Sequence, residues 1–138
     1  MKSIKPITAE MTWAIRHQVL WPNEPFDYVK ISTDEEGIHL GCFVDDELVA
    51  VISGFINHET KEAQFRKFAT LPEEQGKGYG TLLLSHLIKE MTERGAKRIW
   101  CNARLNATSL YERHGMHKTD QYFEKGGFDY VVMEMVVD

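Results

Sequence analysis

The chain has little cysteine: Cys42 and Cys101 are its two, in 138 residues. Two cannot build the disulfide framework of a small secreted domain. Each lies in an apolar, β-like stretch, so both read as reduced core thiols of a cytoplasmic protein. No apolar run approaches the ~20 residues of a membrane span, and the opening MKSIKPI has no apolar signal core, so no membrane association is expected. Positive charge is not in excess either. Lys plus Arg total 16 against 21 Asp plus Glu, a formal charge of −5 with the signs interspersed, which argues against a nucleic-acid surface. His17, His86, His114 and His117 show no ligand spacing with cysteine or carboxylates, so no metal is expected. Internal repeats and low-complexity tracts are absent. What is present is 43% hydrophobic sequence, enough for one domain over residues 1–138 to bury roughly two thirds of its unfolded surface without staples.

Taken in order, Ser3 to Ile7 is a strand, and Thr8 can cap a helix that runs to Leu20 and ends at Trp21-Pro22. NEPFDYVKISTDEEG has two carboxylate clusters and no sustained period, and reads as a loop or irregular helical segment able to shape a substrate pocket. Ile38–Val44 and Leu48–Phe55 form a hairpin over the acidic tip Asp45-Asp46-Glu47. Gln64 to Thr70 is the next strand. Beyond it, Arg98 to Ala103 is an apolar strand, Ala107 to His114 a short helix stopped by Gly115, and Gln121–Lys125 and Tyr130–Val136 a hairpin around Gly126-Gly127. Met133 and Met135, alternating with Glu134, are core residues.

The densest information lies from Gln64 to Arg94: strand, glycine-rich turn, long amphipathic helix. Pro72 stops the strand, and Gly76, Gly78 and Gly80 provide a bend where backbone N–H groups can approach a ligand. Leu83, Leu84, Leu87, Ile88 and Met91 then mark one buried helical stripe, and Gly95 ends the helix. Free N–H groups at such a helix start favour an anion, which makes this a phosphate-binding layout. Lys77 is followed by Gly78, not Ser or Thr, so it is not a Walker loop. The glycine spacing 76, 78, 80 is not that of a dinucleotide fingerprint.

What the stretch does match is Gln-x-x-Gly-x-Gly, met by Gln75, Gly78 and Gly80, and here the chain resembles the GNAT superfamily of acetyl-CoA-dependent N-acetyltransferases. The element order, β-α-(loop)-β-β-β-α-β-α-β-β, extends the resemblance over nearly the whole chain. It implies an α/β (α+β) fold with a central mixed, mostly antiparallel sheet flanked by helices. Ile15-Arg16-His17 with Leu20-Trp21-Pro22-Asn23, and Trp100-Cys101-Asn102-Ala103-Arg104 before Ala107 and Leu110-Tyr111, are similar to the small-molecule branch that includes bacterial glyphosate N-acetyltransferase.

The resemblance implies acetyl-CoA as cosubstrate and an acetyl group transferred to a small-molecule amine by direct attack in a ternary complex. The backbone of Phe68, Ala69 and Thr70 would pair with the pantetheine arm, and Gln75, Gly76, Lys77, Gly78, Tyr79 and Gly80 would hold the pyrophosphate. Tyr111 would hydrogen-bond the departing sulfur. Since a tyrosine near ~10 is a weaker acid than a thiol near ~8.5, the role expected is a strengthening hydrogen bond, not full proton transfer. A histidine base of a relative aligns with Tyr130, a poor substitute; Glu59, Glu62, His58, His39 or a water chain are the alternatives. Arg66 and Arg104 match substrate-binding arginines of that relative, with Trp21 at the position of a third, which implies an anionic handle on the acceptor. Two other readings stand beside this one: an acyl-CoA-binding or regulatory module without turnover, and acetylation of protein lysines or N-termini. The sequence leaves oligomeric state open, a homodimer included.

Overall fold

Thr8 accepts the Met11 N–H on its side-chain oxygen at 3.3 Å, starting the first helix as the sequence predicts. The computed structural model describes residues 1–137. Its elements are β1 (Lys2–Pro6), α1 (Ala9–Leu20), β2 (Ile38–Val44), β3 (Glu47–Asn57), β4 (Glu62–Thr70), α2 (Tyr79–Glu93), β5 (Arg98–Arg104), α3 (Thr108–Arg113), β6 (His117–Lys125) and β7 (Phe128–Val136). The 26–36 stretch forms two short 3-10 turns, Phe26–Val29 and Asp34–Glu36, in agreement with the irregular segment expected there. Strand β6 begins at His117, earlier than the periodicity indicates, because its residues are almost all exposed and carry no alternation to read.

The strands form one sheet in the order β1-β2-β3-β4-β5-β7-β6. Only β4 and β5 run parallel; the other neighbouring strands described are antiparallel. The fold is thus mixed α/β with a mostly antiparallel sheet, as the resemblance implies. Asp45 and Asp46 at the β2–β3 tip take φ of 50° and 71°, the left-handed pair that a tight hairpin needs.

Alternation along β3 divides the core in two. Ala50 and Ile52 pack with Leu83, Leu84, Leu87 and Met91 of α2, all four fully buried, and burying each such side chain contributes ~1.5–3 kcal/mol. Val51 points to the other face, against Ile15 of α1 and Ala69. A Cβ at Gly54 would lie 2.8 Å from the Met91 sulfur and 3.0 Å from Leu87. The glycine in this strand is therefore what lets α2 lie close to the sheet. Cys42 and Cys101 are buried and unpaired, each thiol pushed up by burial, Cys101 to about 12.

Candidate active site

The cleft exists because two parallel strands part company. Pairing of β4 with β5 spans only Glu62↔Arg98, Ala63↔Ile99 and Gln64↔Trp100. Beyond that point β4 continues against β3 to Thr70, while β5 continues against β7 to Arg104. One backbone edge of β4 from Phe65 onward is left without a β5 partner. A cavity of about 460 Å³ fills the gap, with Arg66, Lys67, Phe68, Gln75, Tyr111 and Tyr130 among its lining residues.

A bulge shapes the open edge. Register pairs Ser53↔Arg66 and Val51↔Ala69 leave one β3 residue facing two on β4, Lys67 and Phe68. Lys67, the first of the two, takes φ 56°, in the left-handed region. Phe68 supports Gly80 from below, so that a Cβ there would meet its ring at 3.1 Å.

The glycine loop closes one end of the cleft. Gln75 donates its side-chain amide to the Thr70 carbonyl at 2.9 Å, tying the loop to the end of β4. Gly76 and Gly78 have φ of 80° and 86°, and a Cβ on either would project into open space. Gly78 is the N-cap of α2 and offers no side chain to the first-turn N–H groups. They stay available to an anion. Lys77 pairs with Glu74 at 3.2 Å, and Tyr79 packs on the core with the Lys2 ammonium 5.8 Å from its ring centroid.

Tyr111 lies across the cleft, its ring 5.5 Å from that of Phe65 and 6.4 Å from that of Phe68. Burial, reinforced by Cys101 and opposed by Arg104, pushes its phenol above the usual tyrosine range. The group is a neutral O–H donor at physiological pH.

The charge of the cleft is one-sided. Arg66, Lys67, Arg104 and Lys125 line it, with no aspartate, glutamate or histidine. Among the described residues no carboxylate lies within ion-pair distance of Arg66, Lys67 or Lys125. Burial, aided by the neighbouring cation Arg16, draws Arg66 below its ordinary value, and burial, with Arg66 and Lys125 beside it, lowers Lys67 to about 8. Arg104 is already engaged: its guanidinium stacks 3.9 Å from the Phe128 centroid and 5.4 Å from that of Trp21, and donates to the Leu20 carbonyl at 3.3 Å. Trp21 is 8% exposed, packed edge-on against Tyr28 and Phe128. Tyr130 stacks face to face on Phe123 at 5.1 Å.

The alternative bases lie elsewhere. His58 and Glu59 sit in the exposed turn between β3 and β4, and Glu62 pairs with Arg98 at 3.1 Å. His39 belongs to a closed buried ring. Arg16 donates to Ser53 Oγ (2.9 Å), Ser53 meets His39 Nδ1 (2.7 Å), and His39 Nε2 meets the Asp34 carbonyl (2.7 Å). The Asp34 carboxylate in turn receives Arg16 twice at 2.9 Å. Burial pushes Asp34 up, but hydrogen bonds from Arg16, the Ile31 N–H and Trp13 outweigh it and hold the carboxyl below its usual range. This ring fixes α1 to the 26–36 segment beside the cleft. Neither it nor Lys67 and Lys125 is visible in the sequence reading, because none sits in a spaced pattern. The one available signal was that Lys67 follows Arg66, two adjacent cations within one strand.

An open strand edge, a glycine-capped helix start and an acidless cleft thus lie in one region of the fold. The chain belongs to the acetyltransferase (GNAT) family, whose model matches residues 8–116. It is 29% identical to the uncharacterized N-acetyltransferase YitI of Bacillus subtilis (strain 168) over 96% of this chain and 95% of that one. It is 32% identical to the ribosomal protein bS18-alanine N-acetyltransferase of Haemophilus influenzae, over 75% of this chain and 69% of that one. Among solved structures, a Bacillus subtilis acetyltransferase in complex with CoA superposes with a TM-score of 0.76 at 17% identity, covering 99% of both chains. These matches single out no branch of the family.

Proposed function

We propose that the protein transfers an acetyl group from acetyl-CoA to the primary amine of a small anionic molecule. The observation that carries the reading is the cleft where β4 leaves β5: an unpaired strand edge and a neutral phenol line it among cations with no carboxylate, and the glycine-capped start of α2 follows closely on Gln75 of its lining. Gly76 to Gly80 would hold the pyrophosphate on backbone N–H groups, and the edge of Phe68, Ala69 and Thr70 would take the pantetheine arm as an added strand. When bound there, acetyl-CoA supplies the activated acetyl group. Tyr111 would donate a hydrogen bond that strengthens as the sulfur gains charge. Arg66, with Lys125 beside it, would seat a carboxylate or phosphate of the acceptor, while Arg104 and Trp21 brace the wall behind it. Tyr130, held in its stack on Phe123, serves better as wall than as base. The match to a bS18-alanine N-acetyltransferase favours a second reading, in which the amine is a protein N-terminus.

Thiol release from acetyl-CoA tests both. The panel is aspartate, phenylalanine and O-phosphoserine, each with a counterpart lacking every acidic group (aspartic diamide, phenylalaninamide and serinamide), and a peptide with an N-terminal alanine. Acids outrunning their amides, with the preference erased in Arg66→Ala, is the expected result. Equal rates for acid and amide refute the anionic handle, and turnover confined to the peptide supports the second reading.

A further inference from the structure

We propose that Lys67 is the general base of the transfer: the β4 bulge carries its amine into the cleft, where it takes the proton the acceptor nitrogen must lose. The proposal rests on the acetyl-transfer reading above and adds a residue to it. The first support is backbone geometry. Of the non-glycine residues with positive φ, Asp45, Asp46 and Lys61 lie in hairpin turns, whereas Lys67 lies within a strand. A left-handed residue costs an L-amino acid free energy and persists where the surroundings impose it, commonly at functional sites. Here the conformation inserts the extra residue into β4 and leaves the lysine half-buried.

The second support is the inventory of the cleft. An arginine remains protonated in any usable range, Cys101 is pushed up to about 12, and Tyr111 is pushed up as well. With no histidine, aspartate or glutamate in the lining, Lys67 is the group there that sheds its proton nearest to neutrality, lowered by burial to about 8. Beyond burial, Arg66 on β4, Lys125 on β6 and Arg16 on α1 lower this value, and Asp34, itself paired with Arg16, alone opposes them. The other charged and titratable groups lining the two lobes are Arg104 on β5, Tyr111 on α3, Tyr130 on β7, Tyr28 in the first 3-10 turn, Lys30 just after it, and the Cys101 thiol on β5.

The third support is an exit. Lys67 also lines a neighbouring lobe with Tyr28, Lys30 and Ser32, all three exposed. A proton taken in the cleft can therefore leave to solvent without passing the reacting groups. The step balances. The acceptor enters as the neutral amine: its nitrogen bonds to the acetyl carbon, the carbon–sulfur bond breaks, CoA departs as a thiolate hydrogen-bonded by Tyr111, and Lys67 keeps the one proton that nitrogen loses until solvent removes it. An anion seated on Arg66 raises Lys67 towards its ordinary value, so the rising limb of kcat should lie at higher pH than that of kcat/KM.

Two measurements decide it. The first is independent of turnover: in the protein labelled with carbon-13 lysine, the Lys67 ε-methylene, assigned by its loss in Lys67→Arg, should titrate near 8. The second uses 4-aminobenzoate as acceptor, whose nitrogen is already neutral at pH 6, so that any rising limb belongs to the enzyme. Lys67→Arg keeps the positive charge and should keep acceptor KM within a few-fold, yet lower kcat about 10²-fold and abolish the limb. Lys67→Gly, which suits the left-handed backbone, should be equally slow while still binding acetyl-CoA by calorimetry. A Lys67 titration above 10, or wild-type kcat in Lys67→Arg, overturns the base. Absence of thiol release by the wild type across the whole panel overturns the proposed function instead, and the titration then still reads Lys67.

Discussion

Arg16 and Arg66 are near neighbours with opposite fates. Both meet at Ser53: Arg16 donates to its hydroxyl, and Arg66 is its cross-strand partner. Arg16 is fully buried and spends its two terminal nitrogens on Asp34, Ser53 and the Val29 carbonyl, leaving only Nε without a partner. Arg66 has no carboxylate, and beside it stand Lys67 and Lys125, equally unmatched. A charge removed from water needs compensation. Where the protein supplies all of it, the arginine is architecture; where it supplies none, the charge is left to water or to a bound anion.

Breaking the satisfied cluster should have the largest effect. Arg16→Met leaves Asp34 buried with its charge unopposed and should cost about 3–5 kcal/mol in urea unfolding. Arg16→Met with Asp34→Leu should recover most of that loss, because the orphan charge is gone as well. If the single substitution costs under about 1 kcal/mol, the ring does not hold α1 to the 26–36 segment.

Substitutions in the open cleft should instead spare stability and change kinetics. Tyr111→Phe removes a donor needed mainly as the sulfur gains charge, so kcat should fall about 10²-fold with acetyl-CoA affinity little changed. Calorimetry and initial rates check both halves. Arg66→Ala should raise the acceptor KM by roughly 10- to 150-fold, which is about 1.5–3 kcal/mol for a charged hydrogen bond. Its urea midpoint should stay level or rise, since a mutually repelling cation has been removed. A drop in midpoint comparable to that of Arg16→Met would erase the contrast between the two arginines.

The remaining effects are in pH. Asp34 is held below its ordinary value of 3.8, so the stability it contributes is present above about pH 4 and is lost as pH falls through the depressed native value. Lys67 works at the other end. Its native value of about 8 lies below the ordinary 10.5, so between the two the unfolded chain binds more protons and stability rises with pH. Denaturant midpoints from pH 3 to 10.5 should show both slopes; Lys67→Gly should flatten only the alkaline one.

These two clusters also mark where the sequence stopped being readable. Period and turn chemistry are local, so the stripe Leu83 to Met91, the Asp45-Asp46 tip and the glycine loop all stand out in the chain. The parting of β4 from β5 is a matter of register between strands more than thirty residues apart, and no side-chain pattern announces it. The bulge at Lys67 is likewise set by β3 pairing. Arg16 looks like a surface residue on an amphipathic helix, and its partners Asp34, His39 and Ser53 come from three separate segments. Arg66 was legible as an anion handle only through resemblance. That Arg104 stacks between Trp21 and Phe128 depends on a hairpin that folds back from the far end of the chain.

The short seam between β4 and β5 has a consequence for how the protein would behave when heated. Three register pairs join the two halves of the sheet, so a ligand lying along the free edge of β4 and touching β5 or α3 would complete a seam that the polypeptide leaves unfinished. Melting temperature would then act as a binding isotherm. At a hundredfold excess over Kd such a ligand adds about 2.7 kcal/mol to native stability. The enzyme's resistance to heat and proteases would follow the concentration of acetyl-CoA around it.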